Sequence, residues 1–248
     1  MTVITLLTDF GPTDAYVGAM KGVIAGIAPE ARVVDLTHNV PARDIYAGAF
    51  HLLTAHRYFP AGTIHVAVVD PGVGTQRAIV AVRAGAHVFV GPDNGVLRWA
   101  IDDAGGPVSA VRVEDRRYAL PEVSATFHGR DVMAPAAAHL AVGVPLESLG
   151  PPTAQLSGER FPEPRDGRGV VVHVDHFGNC ITNLPPDIAA LEVLGRRLAV
   201  APAYAAAPAG RAIAVAGSAG FLEIAVNGGS AAALLGIGRG TPVRRLSQ

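Results

Sequence analysis

Apolar and polar positions along the chain form two textures that meet near residue 145. In the first, short β-branched apolar runs alternate with longer stretches of helical spacing. Residues 3–8 predict a strand closed by Asp9-Phe10-Gly11-Pro12. Asp14 is placed to cap a helix that runs through Ile27 and is ended by Pro29. Residues 32–36 predict a second strand, and 41–57 a helix opened by its proline. Residues 64–69 are wholly apolar and run into Asp70-Pro71-Gly72, with further strands predicted at 78–82 and 87–90. Helices are predicted over 93–103 and, despite Pro135, over 130–142. Apolar strands alternating with helices predict an α/β domain with a mostly parallel sheet covered on both faces.

The second texture has no sustained helical period. Five prolines and several charges between Pro145 and Gly169 predict a linker. Beyond it, strands are expected at 170–174, 197–201, 212–216, 221–226 and 242–246, the last three separated by Gly-rich turns. The expected organisation is therefore an α/β domain over 1–150, a linker over 151–168 and a small antiparallel β-barrel over 169–248.

Composition narrows the class. Half of the chain is hydrophobic and only 17% is charged, the reverse of a disordered composition. The net charge of -1 argues against a dedicated nucleic-acid binder, which needs a basic excess to neutralise phosphates. Cys180, the single thiol, cannot form an internal disulfide or a cysteine-based zinc site. The first residues lack a basic n-region and reach Asp9 too soon for a signal peptide. No apolar run is long enough for a membrane span, so a cytoplasmic protein is expected. The 29 glycines and 19 prolines are spread along the chain, as expected of many short elements joined by tight turns.

In so charge-poor a chain, acids at strand ends beside glycine carry the most information. Asp9 ends the first strand, Asp70 ends the strand before Pro71-Gly72-Val73-Gly74, and Asp175 opens Asp175-His176-Phe177-Gly178-Asn179. Ligands of open α/β sheets bind beyond the carboxyl ends of strands, where Asp9 and Asp70 lie; the plainer reading is an acid that starts a turn. His128, in Phe127-His128-Gly129-Arg130-Asp131, would sit at a helix N-terminus, whose positive end lowers an imidazole pKa. No phosphate-binding loop, nucleophile elbow or paired-histidine zinc motif is present.

Six motifs taken in order resemble one family: Thr8-Asp9-Phe10-Gly11, Val69-Asp70-Pro71-Gly72-Val73-Gly74, Pro92-Asp93-Asn94-Gly95, Phe127-His128-Gly129-Arg130-Asp131, Asp175-His176-Phe177-Gly178-Asn179 and Leu222-Glu223-Ile224-Ala225-Val226-Asn227. The family is that of the S-adenosyl-L-methionine (SAM) hydroxide adenosyltransferases, adenosine-forming SAM hydrolases related to SAM-dependent halogenating enzymes. The resemblance implies attack of water or hydroxide at the ribose C5′ of SAM, without metal or organic cofactor. It also implies a homotrimer with active sites between the α/β domain of one subunit and the barrel of its neighbour. The family's water-binding trio maps onto Asp70, Arg77 and His128. The resemblance places Asp9 at the ribose hydroxyls, Asp14 and Asp175 at the methionine ammonium, and Ser218 at its carboxylate. Around the adenine it places Phe177, Asn179, Tyr204 and the Asn227 segment.

Departures from the halogenating relatives bear on the nucleophile. Those enzymes resemble this chain but carry tyrosine at the position of Asp70, and a carboxylate there repels halide. The fluorinating enzyme's halide-binding serine corresponds to Gly129, and its long insertion is missing between Arg77 and Asn94. Ala219 stands where the halogenating enzymes bind carboxylate with an arginine, and Arg43 where they carry a tryptophan. Two other readings remain open at this point: a halogenase forming 5′-halo-5′-deoxyadenosine, and a non-catalytic sensor of adenosine or SAM.

Overall fold

The computed structural model describes residues 1–246. The chain divides into two units, Met1–Arg160 and a second from Phe161 onward. In the first unit the apolar runs become β1 (Val3–Thr8), β2 (Arg32–Thr37), β3 (Ile64–Val68), β4 (Ile79–Ala84), β5 (His87–Pro92) and β6 (Pro107–Arg112). They form one sheet in the order β2-β1-β3-β5-β4-β6. The pairs β1–β2, β1–β3 and β3–β5 are parallel, whereas β4 runs antiparallel to β5 and β6.

Alternation along these strands builds two separate cores. Ile4, Leu6, Val66, Val68, Ala81 and Val90 face α1 (Tyr16–Ile27) and α4 (Ala134–Ala141). Leu7, Ala67, Val69, Val82 and Phe89 face α2 (Ile45–Ala55) and α3 (Arg98–Asp103). A sheet buried on both sides explains why its strands read as continuous apolar runs. Polar groups persist inside it: His65 is fully buried, stacks on Phe89 at 5.2 Å and shares a 2.8 Å hydrogen bond with the equally buried Thr5. His56 and His87 lie around it, with ring centroids 6.3 and 5.1 Å away. Burial, and then the His87 and His56 imidazoles, push the His65 pKa down to about 3.

Several boundaries differ from expectation for local reasons. The helix expected from residue 41 starts at Ile45, because Arg43 takes a left-handed φ of 66° and Asp44 caps the helix by accepting from the Ala47 amide. The helix expected over 93–103 keeps only Arg98–Asp103, since Asn94 turns back to donate to the Val69 carbonyl at 2.9 Å. Residues 130–142 divide into a π turn, Gly129–Met133, and α4, with Pro135 in the first turn where no amide donor is missed. Asp14 caps nothing: α1 has Ala15 at its N-cap without a side-chain bond. Past Val144, Thr153 donates its amide to the Ala110 carbonyl, and Trp99 donates to the Glu159 carbonyl, which ties the proline-rich stretch to the first unit.

The second unit is a closed barrel of β7 (Arg168–Val174), β8 (Cys180–Thr182), β9 (Ala190–Val193), β10 (Arg196–Ala201), β11 (Ala212–Ala216), β12 (Leu222–Val226) and β13 (Pro242–Leu246). Its order is β10-β11-β12-β8-β7-β13-β9. Neighbours pair antiparallel except β10 and β11, which are parallel. Val171, Cys180, Leu191, Leu222, Ile224 and Val243 fill its interior. A short helix, α5 (Ala231–Leu235), follows β12, capped by the Ser230 hydroxyl and ended by Gly236 in the left-handed region. Among the described residues, no helix is long and apolar enough to cross a membrane.

Candidate functional site

Two groups of side chains in the first unit combine polarity with burial at the carboxyl ends of β1 and β3. Asp70 follows the apolar run of β3, and its carboxylate is held by Arg77 seven residues later. Nε of Arg77 donates to Oδ1 at 3.0 Å, and Nη2 donates to Oδ2 in a short contact. The third guanidinium nitrogen, Nη1, donates to the Ala78 carbonyl at 3.0 Å. The fork leaves the guanidinium little freedom, and only 5% of the Asp70 side chain and 10% of that of Arg77 are exposed. Such a forked pair satisfies both carboxylate oxygens in a poorly solvated place.

The loop between these residues is pressed against the segment that carries His128. Gly74 has φ 78°, and a Cβ there would lie 2.3 Å from the Ala125 carbonyl oxygen, so only glycine permits this approach. His128 then leads directly into the π turn, a distortion often found beside functional groups. Behind it Asp131 is fully buried, accepts from the Ser124 amide at 2.8 Å and pairs with Arg130. Burial lowers the His128 pKa, and the Arg77 charge lowers it further; Asp70 and Asp131 oppose this. The imidazole is therefore neutral at pH 7, and its buried Nδ1 has no hydrogen-bond partner among the described residues.

Asp9 is tied to the 38–43 segment rather than to the trio: its Oδ2 accepts from the Arg43 amide at 2.7 Å. Asp14 is exposed. Between Asp9 and His128 in the chain's motifs, three rings meet edge to face: Phe10, Tyr16 and Phe127, with centroids 5.3 to 5.8 Å apart. Tyr16 is half exposed, so this cluster offers an aromatic surface as well as packing. Sequence reasoning quoted Phe10 and Phe127 inside motifs but gave neither a role, and it passed over Tyr16.

In the second unit, Asp175, Phe177, Asn179, Tyr204 and Ser218 line one cleft of about 630 Å³. Asp175 organises its turn, with Oδ1 accepting the Phe177 and Asn179 amides and Oδ2 accepting the Asn179 side-chain amide. Phe177 is left 74% exposed, an uncommon state for a large apolar ring. Asn227 does not line the cleft; its amide donates to the Ala207 carbonyl at 2.7 Å, while Val226, Gly228 and Gly229 contribute to the wall. The residue sequence reasoning missed is Glu223, buried on β12, whose Oε2 accepts from the Tyr204 hydroxyl at 2.9 Å. A single acid within the apolar run 222–226 was the available signal. The cleft suits a flat polar ring between aromatic faces, and the trio suits activation of a water.

Comparisons with known proteins agree over most of the length. The model of the SAM hydroxide adenosyltransferase N-terminal domain matches residues 4–150, and that of the C-terminal domain matches residues 169–244. An (R)-S-adenosyl-L-methionine hydrolase of Thermus thermophilus is 45% identical, covering 99% of this chain and 100% of that protein. The crystal structure of a conserved protein from Thermotoga maritima superposes with a TM-score of 0.91 at 35% identity, covering 98% of this chain and 100% of that one. A fluorinase of Actinoplanes is more distant, 29% identical over 73% of this chain and 71% of its own.

Proposed function

This chain belongs to the SAM hydroxide adenosyltransferase family, and from that premise we propose that it hydrolyses S-adenosyl-L-methionine to adenosine and L-methionine. The observation that carries the reading is the Asp70–Arg77 fork with neutral His128 beside it in the same unit. Water is the nucleophile. Its oxygen bonds to the ribose C5′ as the C5′–S bond breaks, and that bonding pair leaves with sulfur, which passes from sulfonium to thioether. The leaving group departs neutral, so the protein's task lies with the water.

Asp70, held in place by the Arg77 fork, accepts a hydrogen bond from the water and aims a lone pair at C5′. His128, neutral at working pH, takes the proton and passes it to solvent. A halide would meet the same carboxylate and be repelled, which favours hydrolysis over halogenation. The cleft of the second unit takes the nucleoside, with Phe177 and Tyr204 as faces and Asn179 as edge; Asp9 holds the ribose, Asp14 and Asp175 the ammonium side and Ser218 the carboxylate side. The Thermus relative's name specifies the (R) form, and the sulfonium sulfur, bearing three different groups, is a stereocentre. We read this chain as sharing that preference.

We read the chain further as a cytoplasmic homotrimer in which the trio of one subunit works with the cleft of its neighbour. What supports this is the division of labour: the water-activating groups lie in the first unit and the nucleoside-sized cleft in the second. The test is incubation of the purified protein with SAM of each sulfonium configuration, following adenosine and methionine by chromatography. Stoichiometric release of both from the (R) form is expected; intact SAM with a folded protein would refute the reading. Mixing an Asp70→Asn chain with an Asn179→Ala chain, each inactive, restores activity if the site is shared between subunits.

A further inference from the structure

Of the six motifs, Pro92-Asp93-Asn94-Gly95 holds no residue assigned to substrate or water, yet the sheet brings it next to the trio. β5 lies between β3, to which it is parallel, and β4, to which it is antiparallel. Asp70 follows the end of β3 and Arg77 precedes the start of β4. The fork between them therefore reaches across the carboxyl end of β5, where this motif begins.

Pro92 closes β5 and has no amide hydrogen, so it adds no donor to the ladder onto β3. The Asn94 side chain takes over. Its Nδ2 donates to the carbonyl of the fully buried Val69 at 2.9 Å, and its Oδ1 accepts from the Val96 amide at 3.1 Å. With both ends of the amide engaged, Asn94 has one orientation, and the peptide that leads into Asp70 is fixed with it. On the other side, the Asp93 backbone amide donates to the Ala78 carbonyl at 2.8 Å. That same carbonyl accepts Nη1 of Arg77. Two consecutive residues thus hold both partners of the fork, one through Val69 and one through Ala78.

The motif is braced in turn by residues 157 and 158. Oδ1 of Asp93 accepts from the Ser157 amide at 2.7 Å, and Oδ2 accepts from the Ser157 hydroxyl at 2.9 Å. Gly95, at φ 104°, meets Gly158 so closely that a Cβ on Gly158 would lie 2.3 Å from the Gly95 Cα.

We propose that Asn94 is a positioning residue of the reaction: through the Val69 carbonyl it sets the direction in which Asp70 presents its carboxylate to the water. The proposal rests on the hydrolase reading. Asn94 gives no hydrogen bond to the fork itself, so its contribution reaches the chemistry only through Asp70. A carboxylate paired with a guanidinium can still swing together with it; holding the backbone beside each partner removes that motion and keeps the water in line with C5′.

The test is a double-mutant cycle on kcat with SAM. Asn94→Ala alone should lower kcat by about 10²-fold, the scale of a misplacement of about 1 Å, with KM within about twofold of wild type. In the Asp70→Asn background the same substitution should change kcat by less than about threefold, because the group that Asn94 aims is already gone. Equal losses in both backgrounds, or a raised KM with unchanged kcat, would mark a merely structural role and overturn the proposal. Asn94→Asp keeps the side-chain shape and the acceptor for Val96 but loses the donor to Val69, which guards against a misfolded alanine variant. It should reproduce the fall in kcat; wild-type kcat in that variant also overturns the assignment. Hydrogen exchange gives a readout free of turnover: in Asn94→Ala, segment 70–77 should exchange faster while β1 is unchanged. If wild type releases no adenosine, the hydrolase reading fails, and exchange in 70–77 still decides whether Asn94 holds the Asp70 loop.

Discussion

The two units each bury an acid, and they treat it in opposite ways. Asp70 in the first unit carries its own cation, with Arg77 forked onto both oxygens. Glu223 in the second unit receives one hydroxyl and faces another acid. A carboxylate forked on both oxygens by its own cation keeps one orientation whatever occupies the site. The same residue chemistry is thus held by a cation in one unit and by a hydroxyl in the other.

The sharpest way to break this comparison is to remove the charge of Asp70. Asp70→Asn should lower kcat by about 10³–10⁴-fold with little change in KM, because the group acts on the nucleophile; an unaltered kcat in steady-state assays would place the chemistry elsewhere. Arg77→Gln leaves the buried Asp70 unpaired, and should cost about 3 kcal/mol of stability in denaturant titration together with about 10²-fold in kcat. Gly74→Ala forces a side chain against the Ala125 carbonyl at a positive φ, and about 2 kcal/mol of stability is expected to go. If its kcat falls while KM holds, the loop is what brings Arg77 and His128 into register.

Acid separates the units in another way. His65 titrates near 3 in the folded protein against about 6.5 when unfolded, so the unfolded chain takes up the proton first. Stability is complete above about pH 6.5 and is lost as pH falls toward 3, with His65 contributing on the order of 4 kcal/mol of that loss. The first unit should therefore give way in acid before the barrel, as hydrogen exchange resolved by region can show. His128 acts in the same direction on activity: its lowered pKa predicts a flat kcat/KM at neutral pH and a fall below pH 6.5, a limb that His128→Gln removes. Smallest of all, Tyr204→Phe should raise KM about threefold, the scale of one lost hydrogen bond to a charged group with partial compensation.

Much of the fold was legible. Strands at 3–8, 212–216 and 242–246 match the structure to the residue, each having a clear stop or start on at least one side: Asp9 after the first, Gly217 after the second and Pro242 opening the third. β6 escaped because Pro-Val-Ser-Ala-Val-Arg at a sheet edge is half exposed and has no continuous apolar run. β8, three residues long, and β9 were hidden for want of length, and α5 because it is only five residues long. In the site, strand-end acids flagged Asp9, Asp70 and Asp175, but the union of Asp70 with Arg77 depends on a loop conformation that spacing does not encode. Glu223 lay in plain view as one charge in a buried strand; its partner Tyr204 comes from a Pro- and Ala-rich stretch with no pattern to read.

The parallel pair β10–β11 has a consequence for that stretch. Two neighbours running the same way cannot be joined by a hairpin, so the chain leaving Ala201 must travel back along the barrel before Ala212 can begin. Residues 202–211 are this obligatory return path, and Tyr204 rides on it. The aromatic wall of the cleft is therefore paid for by topology: no shortening of the loop to a tight turn is possible without reversing a strand. Variation in length and sequence along the return path is the natural place for related barrels to change what they accept while leaving every strand where it is.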